Sequence, residues 1–405
     1  MEEASRILGV PAGGSADFFH VAGTNGKGTT TAFLQSLLIE QGYRTGSYYS
    51  PFVYSVRERI QVNRDLISEE AFARHVSQVV CLSRHLENTP HGGITEFEAK
   101  TLAGFLTWRD ERCEAVALEV GLGGRLDATN IVQPIASLIT SIGLDHVHIL
   151  GSTYREIATE KAGIIKPGLP VVVGDLPPEA KETVRAIAAD RGSEAWFFGE
   201  EICVEGTNEN FSIKCPGHSW TGLSTRLWGA KSVHNAALAV SALAVAGFVR
   251  NEEAISAGLA RAWLPGRFQV LEWGDKTLVL DGGHNEEAAL VLRQSLRACF
   301  PGEKITYLVG MNEGHLLAPF LKNLSDESGH LIAVTLETNR ARKAWDIAKA
   351  ASGYFAQIRE AASLAEALAS AETRIIVATG SFYLLANVVR EIGENPSVMA
   401  SYPGD

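Results

Sequence analysis

Cysteine is scarce in this chain: five in 405 residues, at Cys81, Cys113, Cys203, Cys215 and Cys299. An odd, scattered set with no close pair excludes a zinc ribbon, a redox pair and a disulfide framework, and fits reduced cytosolic thiols. Long apolar runs are missing too. The most apolar stretch, Ala236 to Val249, is 14 residues long and rich in alanine. A bilayer span needs about 20 residues, so this stretch reads as a buried helix. The first residues, Met-Glu-Glu-Ala-Ser-Arg, lack the basic start and apolar run of a secretory signal, and a cytoplasmic location is expected. Basic side chains are outnumbered, 36 against 47 acidic ones, for a net charge of −11. That balance disfavours extended nucleic-acid binding. Any anionic ligand must be held by local backbone amides, a few cations and metal, against the overall field.

What is present is an α/β rhythm. Apolar runs at Phe18–Ala22, Ala115–Glu119, Ile135–Thr140 and Pro170–Val173 read as buried strands, with a helix from about Thr29 to Gln41. Thr153-Tyr-Arg-Glu156 is a capping-box pattern opening a helix that Gly163 can close. The stretch from Ile202 to Trp228 reads as a small antiparallel patch, followed by helices near Val233–Gly247 and Glu252–Trp263. Leu264-Pro-Gly-Arg267 interrupts regular structure. Beyond it the rhythm restarts, with strands near Thr277–Asp281, Lys304–Gly310, Leu331–Thr335 and Arg374–Thr379. Two units are expected, residues 1–264 and 265–405.

The first chemical signal is Gly23-Thr24-Asn25-Gly26-Lys27-Gly28-Thr29-Thr30, directly after a strand and opening a helix. Glycines let several N–H groups converge on phosphate oxygens, the helix N-terminus adds partial positive charge, and Lys27 adds a full one. A hydroxyl of Thr29 or Thr30 can reach Mg²⁺. The spacing is not the common P-loop form, because two residues separate Gly23 from Gly26 and a glycine follows the lysine. The bland alternative is a Gly-rich turn with a solvated lysine.

Further polar groups arrive where strands should end: Ser50-Pro51, the run from Glu119 to Asn130, and Asp145-His146. In an open α/β sheet ligands sit beyond the carboxyl ends of strands, so a hard-metal site beside a triphosphate is one reading. Taken singly, a Ser or His at a strand end is more often structural. Lys161, near a helix C-terminus, complements the helix dipole and on its own needs no other reason.

Together these residues resemble the folylpolyglutamate synthase/dihydrofolate synthase branch of the Mur ligase superfamily. The matching segments are Val21–Gly28, Ser50-Pro51, Arg57–Ile60 with Asn63, Glu119–Asn130 and Asp145-His146. They continue through Glu160–Lys166, Pro265–Arg267, Asp281 with His284-Asn285, and Thr379–Ser381. The resemblance implies an α/β protein in which a P-loop-type ATP-binding domain precedes a smaller, Rossmann-like C-terminal domain. It implies ATP phosphates on the Gly23–Thr30 loop. Mg²⁺, two ions in the family, is implied at Ser50, Glu119 and His146 with Thr29. Lys161 matches a lysine the superfamily carries as a carbamate, an anionic metal ligand. Asn235, Arg267, Asp281 and His284 match positions of the nucleotide site and the closed interdomain site. Lys27, Glu119, His146 and Lys161 are the implied catalytic set. The implied activity joins L-glutamate to dihydropteroate or a folate, by a protein expected to be monomeric.

The chain departs from the family pattern at particular places. Only 22 residues precede Gly23, Phe52 stands where a histidine is usual, Lys231-Ser232 replaces His-Gln, and Glu286 replaces a proline. After Leu308-Val-Gly310, Asn312-Glu-Gly-His315 replaces an Asp-Lys-Asp element. These changes spare the phosphate chemistry and bear on substrate choice and glutamate positioning. A cell-wall amide ligase is disfavoured because no uridine-nucleotide domain precedes the loop. A binding-only nucleotide module need not keep the metal set, and a GTPase would need an Asn-Lys-x-Asp element that is absent.

Overall fold

The computed structural model describes residues 1–11, 16–229, 231–395 and 399. The two expected units, which end at 264 and 405, therefore include residues outside the description, namely 12–15, 230, 396–398 and 400–405.

An eight-stranded sheet forms the first half: β1 Asp17–Ala22, β2 Thr45–Tyr48, β3 Ile60–Val62, β4 Asp65–Leu66, β5 Ala115–Glu119, β6 Pro134–Ile139, β7 Val171–Val173 and β8 Ala195–Phe197. Their order is β4-β3-β2-β5-β1-β6-β7-β8, parallel except where β3 and β4 turn back at the edge. Central strands are apolar because helices cover both faces. β5 is wholly buried, and the helix Lys27–Glu40 packs on β1, β2 and β5 beside the alanine-rich helix Ser232–Val245, which meets β6 and β7. Beside them β9 Cys203–Thr207, β10 Asn210–Cys215 and β11 His218–Leu223 form the antiparallel patch expected between Ile202 and Trp228.

The second half is a six-stranded sheet: β12 Gln269–Trp273, β13 Lys276–Asp281, β14 Ile305–Val309, β15 Asp326–Ala333, β16 Phe355–Glu360 and β17 Ile375–Thr379, ordered β12-β13-β17-β14-β15-β16. Only β12 is antiparallel to its neighbour. The edge strand β16 carries exposed polar residues along half its length, and β12 alternates half-buried with exposed residues, so the apolar-run criterion passes over both.

The capping box forms as read: Glu156 N–H donates to Thr153 Oγ1 at 3.2 Å, and Thr153 N–H to Glu156 Oε2 at 3.1 Å. Gly163 does end that helix, but in right-handed conformation, φ −57°. It is glycine for a different reason: a Cβ there would lie 2.3 Å from that of Arg125.

The halves interlock. Val53 and Tyr54, from the loop after β2, join the apolar cluster of the second sheet with Leu278, Leu280 and Leu385. Tyr54 Oη donates to Gln269 Oε1 at 2.9 Å, and the Gly266 N–H reaches the same oxygen at 2.9 Å.

Candidate active site

The loop Gly23–Gly26 leaves the end of β1 and enters the helix that starts at Lys27. It is pressed against the end of β6: a Cβ on Gly23 would fall 1.9 Å from Thr140 Oγ1. Asn25 N–H donates to Ser141 Oγ at 2.8 Å, and Thr140 Oγ1 donates to Asn25 O at 2.6 Å. Lys27 folds back over its own loop, with Nζ 2.9 Å from Gly23 O and 3.2 Å from Thr24 O.

Around this loop a single cleft gathers most of the expected residues: Gly23 to Thr29, Ser50, Glu119, His146, Lys161 and Asn235 on one side, Arg267, Asp281 and His284 on the other. Thr30 is the exception. Its side chain is fully buried, its Oγ1 has no partner within the described residues, and it does not reach the cleft wall. Helical rotation explains this: Thr29 and Thr30 point about 100° apart, so one loop can use only one of them.

Glu119 ends β5 with 2% exposure. One oxygen accepts the Ser50 N–H at 2.8 Å. Burial pushes its carboxyl up to about 7, against the pull of Lys27. Lys161 is 4% exposed and donates to Gly23 O at 2.9 Å. Burial, reinforced by the charge of Lys27, pulls its ammonium down to about 7. Ser50 Oγ accepts from Arg59 at 3.2 Å. His146 sits in left-handed backbone, φ 49°, and burial lowers its imidazole while Asp145 opposes that shift.

Across the cleft, Asp281 accepts the N–H groups of Gly283 at 2.9 Å and Phe268 at 3.0 Å. Burial raises its carboxyl, with Arg267 opposing. Arg267 lies over the Phe382 ring, 4.5 Å from its centroid. Asn285 Nδ2 donates to Asn25 Oδ1 at 3.1 Å and to Asp145 Oδ2 at 3.3 Å. The Asn25 amide in turn reaches Glu287 at 2.6 Å. These contacts tie the phosphate-type loop to the second sheet.

Residues beyond the expected set also line the cleft. Asp145, Asn285 and Glu287 form the bridge just described, and Phe198, Trp228 and His234 form an aromatic wing. Asp145, Asn285 and His234 adjoin expected residues in sequence, whereas Phe198 and Trp228 carry no such signal. Among the described residues no three His, Cys, Asp or Glu side chains cluster tightly enough to hold a metal alone. A cation here must draw on hydroxyls and ligand oxygens, as Mg²⁺ commonly does.

Comparison with known proteins gives the family. The Mur ligase middle domain family matches residues 21–243, and the Mur ligase, glutamate ligase domain family matches residues 266–382. The dihydrofolate synthase/folylpolyglutamate synthase of Bacillus subtilis is 36% identical over 345 residues, 81% of this chain and 79% of the relative. The chain belongs to the folylpolyglutamate synthase/dihydrofolate synthase family of Mur ligases. Its Escherichia coli relative is 32% identical, covering 92% of this chain and 86% of that one. The folylpolyglutamate synthase structure from Thermotoga maritima superposes with a TM-score of 0.87 at 30% identity, over 98% and 94% of the two chains. Among the solved structures of the family, Escherichia coli FolC is held in complex with DHPP and ADP, with 31% identity, a TM-score of 0.86 and 96% and 91% coverage. Another bifunctional enzyme, 31% identical with a TM-score of 0.86 over 97% and 93%, has Mn, AMPPNP and L-glutamate bound.

Proposed function

We propose that this chain is an ATP-dependent ligase that joins L-glutamate to a folate-type carboxylate. The observation that carries the reading is the convergence of Lys27, Lys161 and Glu119 around the Gly23 loop, on a cleft whose other wall is Arg267, Asp281 and His284. For the working division we take residues 1–264 and 265–405, with residues of both units needed for turnover.

A carboxylate is a poor electrophile until an oxygen is phosphorylated. In this reading the N–H groups at the helix start and Lys27 hold the triphosphate and neutralise charge on the moving phosphoryl. The substrate carboxylate attacks the γ-phosphorus and ADP departs. The amine of glutamate then attacks the acyl phosphate, and phosphate leaves. Water would destroy that intermediate, so a cleft closed between two units serves the chemistry.

The residues fit a divalent cation. Glu119 is buried, one of its oxygens takes the Ser50 N–H, and Gly28 stands beside the carboxylate: a Cβ there would lie 3.6 and 3.7 Å from the two oxygens. Glu119, Ser50, Thr29 and His146 would hold Mg²⁺, which supplies charge neutralisation at the phosphoryl group. A neutral amine on Lys161 is the form that reacts with CO₂, which supports its carriage as a carbamate and a second ion beside it.

We assign both dihydropteroate and reduced folates as acceptors, in line with the Bacillus subtilis and Escherichia coli relatives named for both activities. We place the reaction in the cytoplasm and the enzyme as a monomer. Its cysteines are all free, and among the described residues no helix is long and apolar enough to cross a membrane. The test supplies ATP, Mg²⁺ and glutamate and varies only dihydropteroate against tetrahydrofolate, reading ADP release. Release with both is expected; release with neither overturns the substrate assignment.

A further inference from the structure

Asn25 is engaged at every polar group. Its N–H donates to Ser141 Oγ at 2.8 Å and its carbonyl accepts from Thr140 Oγ1 at 2.6 Å, both on the segment that leaves β6. Its side chain is held by the second unit instead, where the helix Glu286–Cys299 begins.

The partners fix which way round these amides stand. Asn285 Oδ1 caps the helix by accepting the Ala288 N–H at 2.9 Å, so Asn285 turns its Nδ2 outward. That group donates to a carboxylate oxygen of Asp145 at 3.3 Å and to Asn25 Oδ1 at 3.1 Å. Asn25 Nδ2 is thereby left for Glu287, and reaches its Oε2 at 2.6 Å, a short charge-assisted bond. Glu287 sits over the seam between loop and sheet. A Cβ on Gly143 would lie 3.5 Å from the same oxygen, and the Gly143 N–H donates to Thr24 Oγ1 at 2.9 Å.

The residues that follow Asn25 carry the donors. Gly26 stands in left-handed backbone, φ 84°, ahead of the helix that starts at Lys27. The first N–H groups of a helix have no partner within it, and an anion seated there needs them aimed together. Their aim depends on the residue that enters the turn, which is Asn25. A carboxylate this close to the loop opposes an incoming triphosphate. Any benefit from Glu287 must therefore come through the amide it holds.

We propose that Glu287 is a positioning residue for the nucleotide loop: it fixes the Asn25 amide from the second unit and so holds the helix-start N–H groups in the arrangement that binds ATP phosphates. The inference rests on the reading of Gly23–Thr30 as the phosphate site, and adds that the second unit completes the shape of that loop.

The experiment titrates the intact chain with ATP and Mg²⁺ by calorimetry, without folate acid or glutamate, and measures KM for ATP and for tetrahydrofolate in turnover. Glu287→Ala should weaken ATP about tenfold and leave the KM for tetrahydrofolate within about twofold. A bystander acid predicts the opposite sign, because deleting a negative charge beside a triphosphate tightens binding. Glu287→Gln keeps an acceptor for the Asn25 amide and drops the charge. It should bind ATP within about threefold of the parent, and it covers the case in which the alanine variant does not fold. In an Asn25→Ala background, Glu287→Ala should add less than about twofold, since the bond it removes is already gone. Four results overturn the role of Glu287 and leave the phosphate-site reading standing: ATP binding unchanged or tighter in Glu287→Ala, a glutamine variant as weak as alanine, equal rises in both KM values, or a tenfold loss that persists without the Asn25 amide. A parent chain that binds no ATP overturns that reading, and this inference with it.

Discussion

Lys27 and Lys161 share one acceptor: each Nζ lies 2.9 Å from the carbonyl oxygen of Gly23. Two ammonium groups cannot both be comfortable there. Burial lowers both, and brings the Lys161 ammonium down to about 7. Its neutral amine is a nucleophile toward CO₂, so a residue that by sequence alone does no more than complement a helix dipole becomes chemically active through its neighbours.

This pairing makes Lys161 testable. Lys161→Ala should reduce kcat by about a hundredfold or more, the scale seen when one preorganised charge is removed from a reacting site. Added acetate or formate should restore part of that loss by standing in for the carbamate. Intact-protein mass of the unmodified chain in bicarbonate should show the increment of CO₂, and the alanine variant should not.

Glu119 should trade stability for activity. Its folded-state value of about 7 lies above the ordinary 4.5, so between those values the folded protein holds a proton that the unfolded chain has lost. Stability of the ligand-free enzyme should therefore fall as pH rises through that window, by a few kcal/mol at most. Glu119→Gln removes this titration and should be more resistant to denaturant at pH 8 than the parent, while losing turnover. Urea midpoints at pH 5 and 8 read the difference.

His20 should govern part of the acid limb. It is fully buried on β1, bonded to Thr129 Oγ1 at 2.8 Å, and burial pulls it from 6.5 to about 3. Below pH 6.5 the unfolded chain takes a proton that the folded one refuses. Stability should then decline from pH 6.5 toward 3, and His20→Gln should flatten that decline. Denaturation midpoints measured across that range check it.

Gly23→Ala should disable the nucleotide loop. The added methyl would meet Thr140 Oγ1 at 1.9 Å on a backbone with φ 157°, so the loop must move. We expect loss of ATP binding by calorimetry and a destabilisation of about 1–3 kcal/mol.

How much of this was legible in the chain follows the range of the interactions. The α/β rhythm, the phosphate-type loop and the Thr153 capping box were readable, because a buried strand, a glycine turn and a cap are set by residues within a few positions of one another. The edge strands β12 and β16 were not: β12 is short and only half-buried, and the pairing of β16 depends on β15, about 30 residues earlier in the chain. Residue types alone left Lys161 as an ordinary helix-end lysine, and gave no reason to separate Thr29 from Thr30.

The amino-acid order thus determined the local elements, the identity of the phosphate-type loop and the set of acids, imidazoles and lysines available. The tertiary structure decided which of them meet. It put two lysines on one carbonyl, set Glu119 in a site dry enough to raise its carboxyl, and laid His315 on His284 across a fold 31 residues apart in the chain. Proton affinity and contact depend on desolvation and on through-space distance, and neither is a property of linear order.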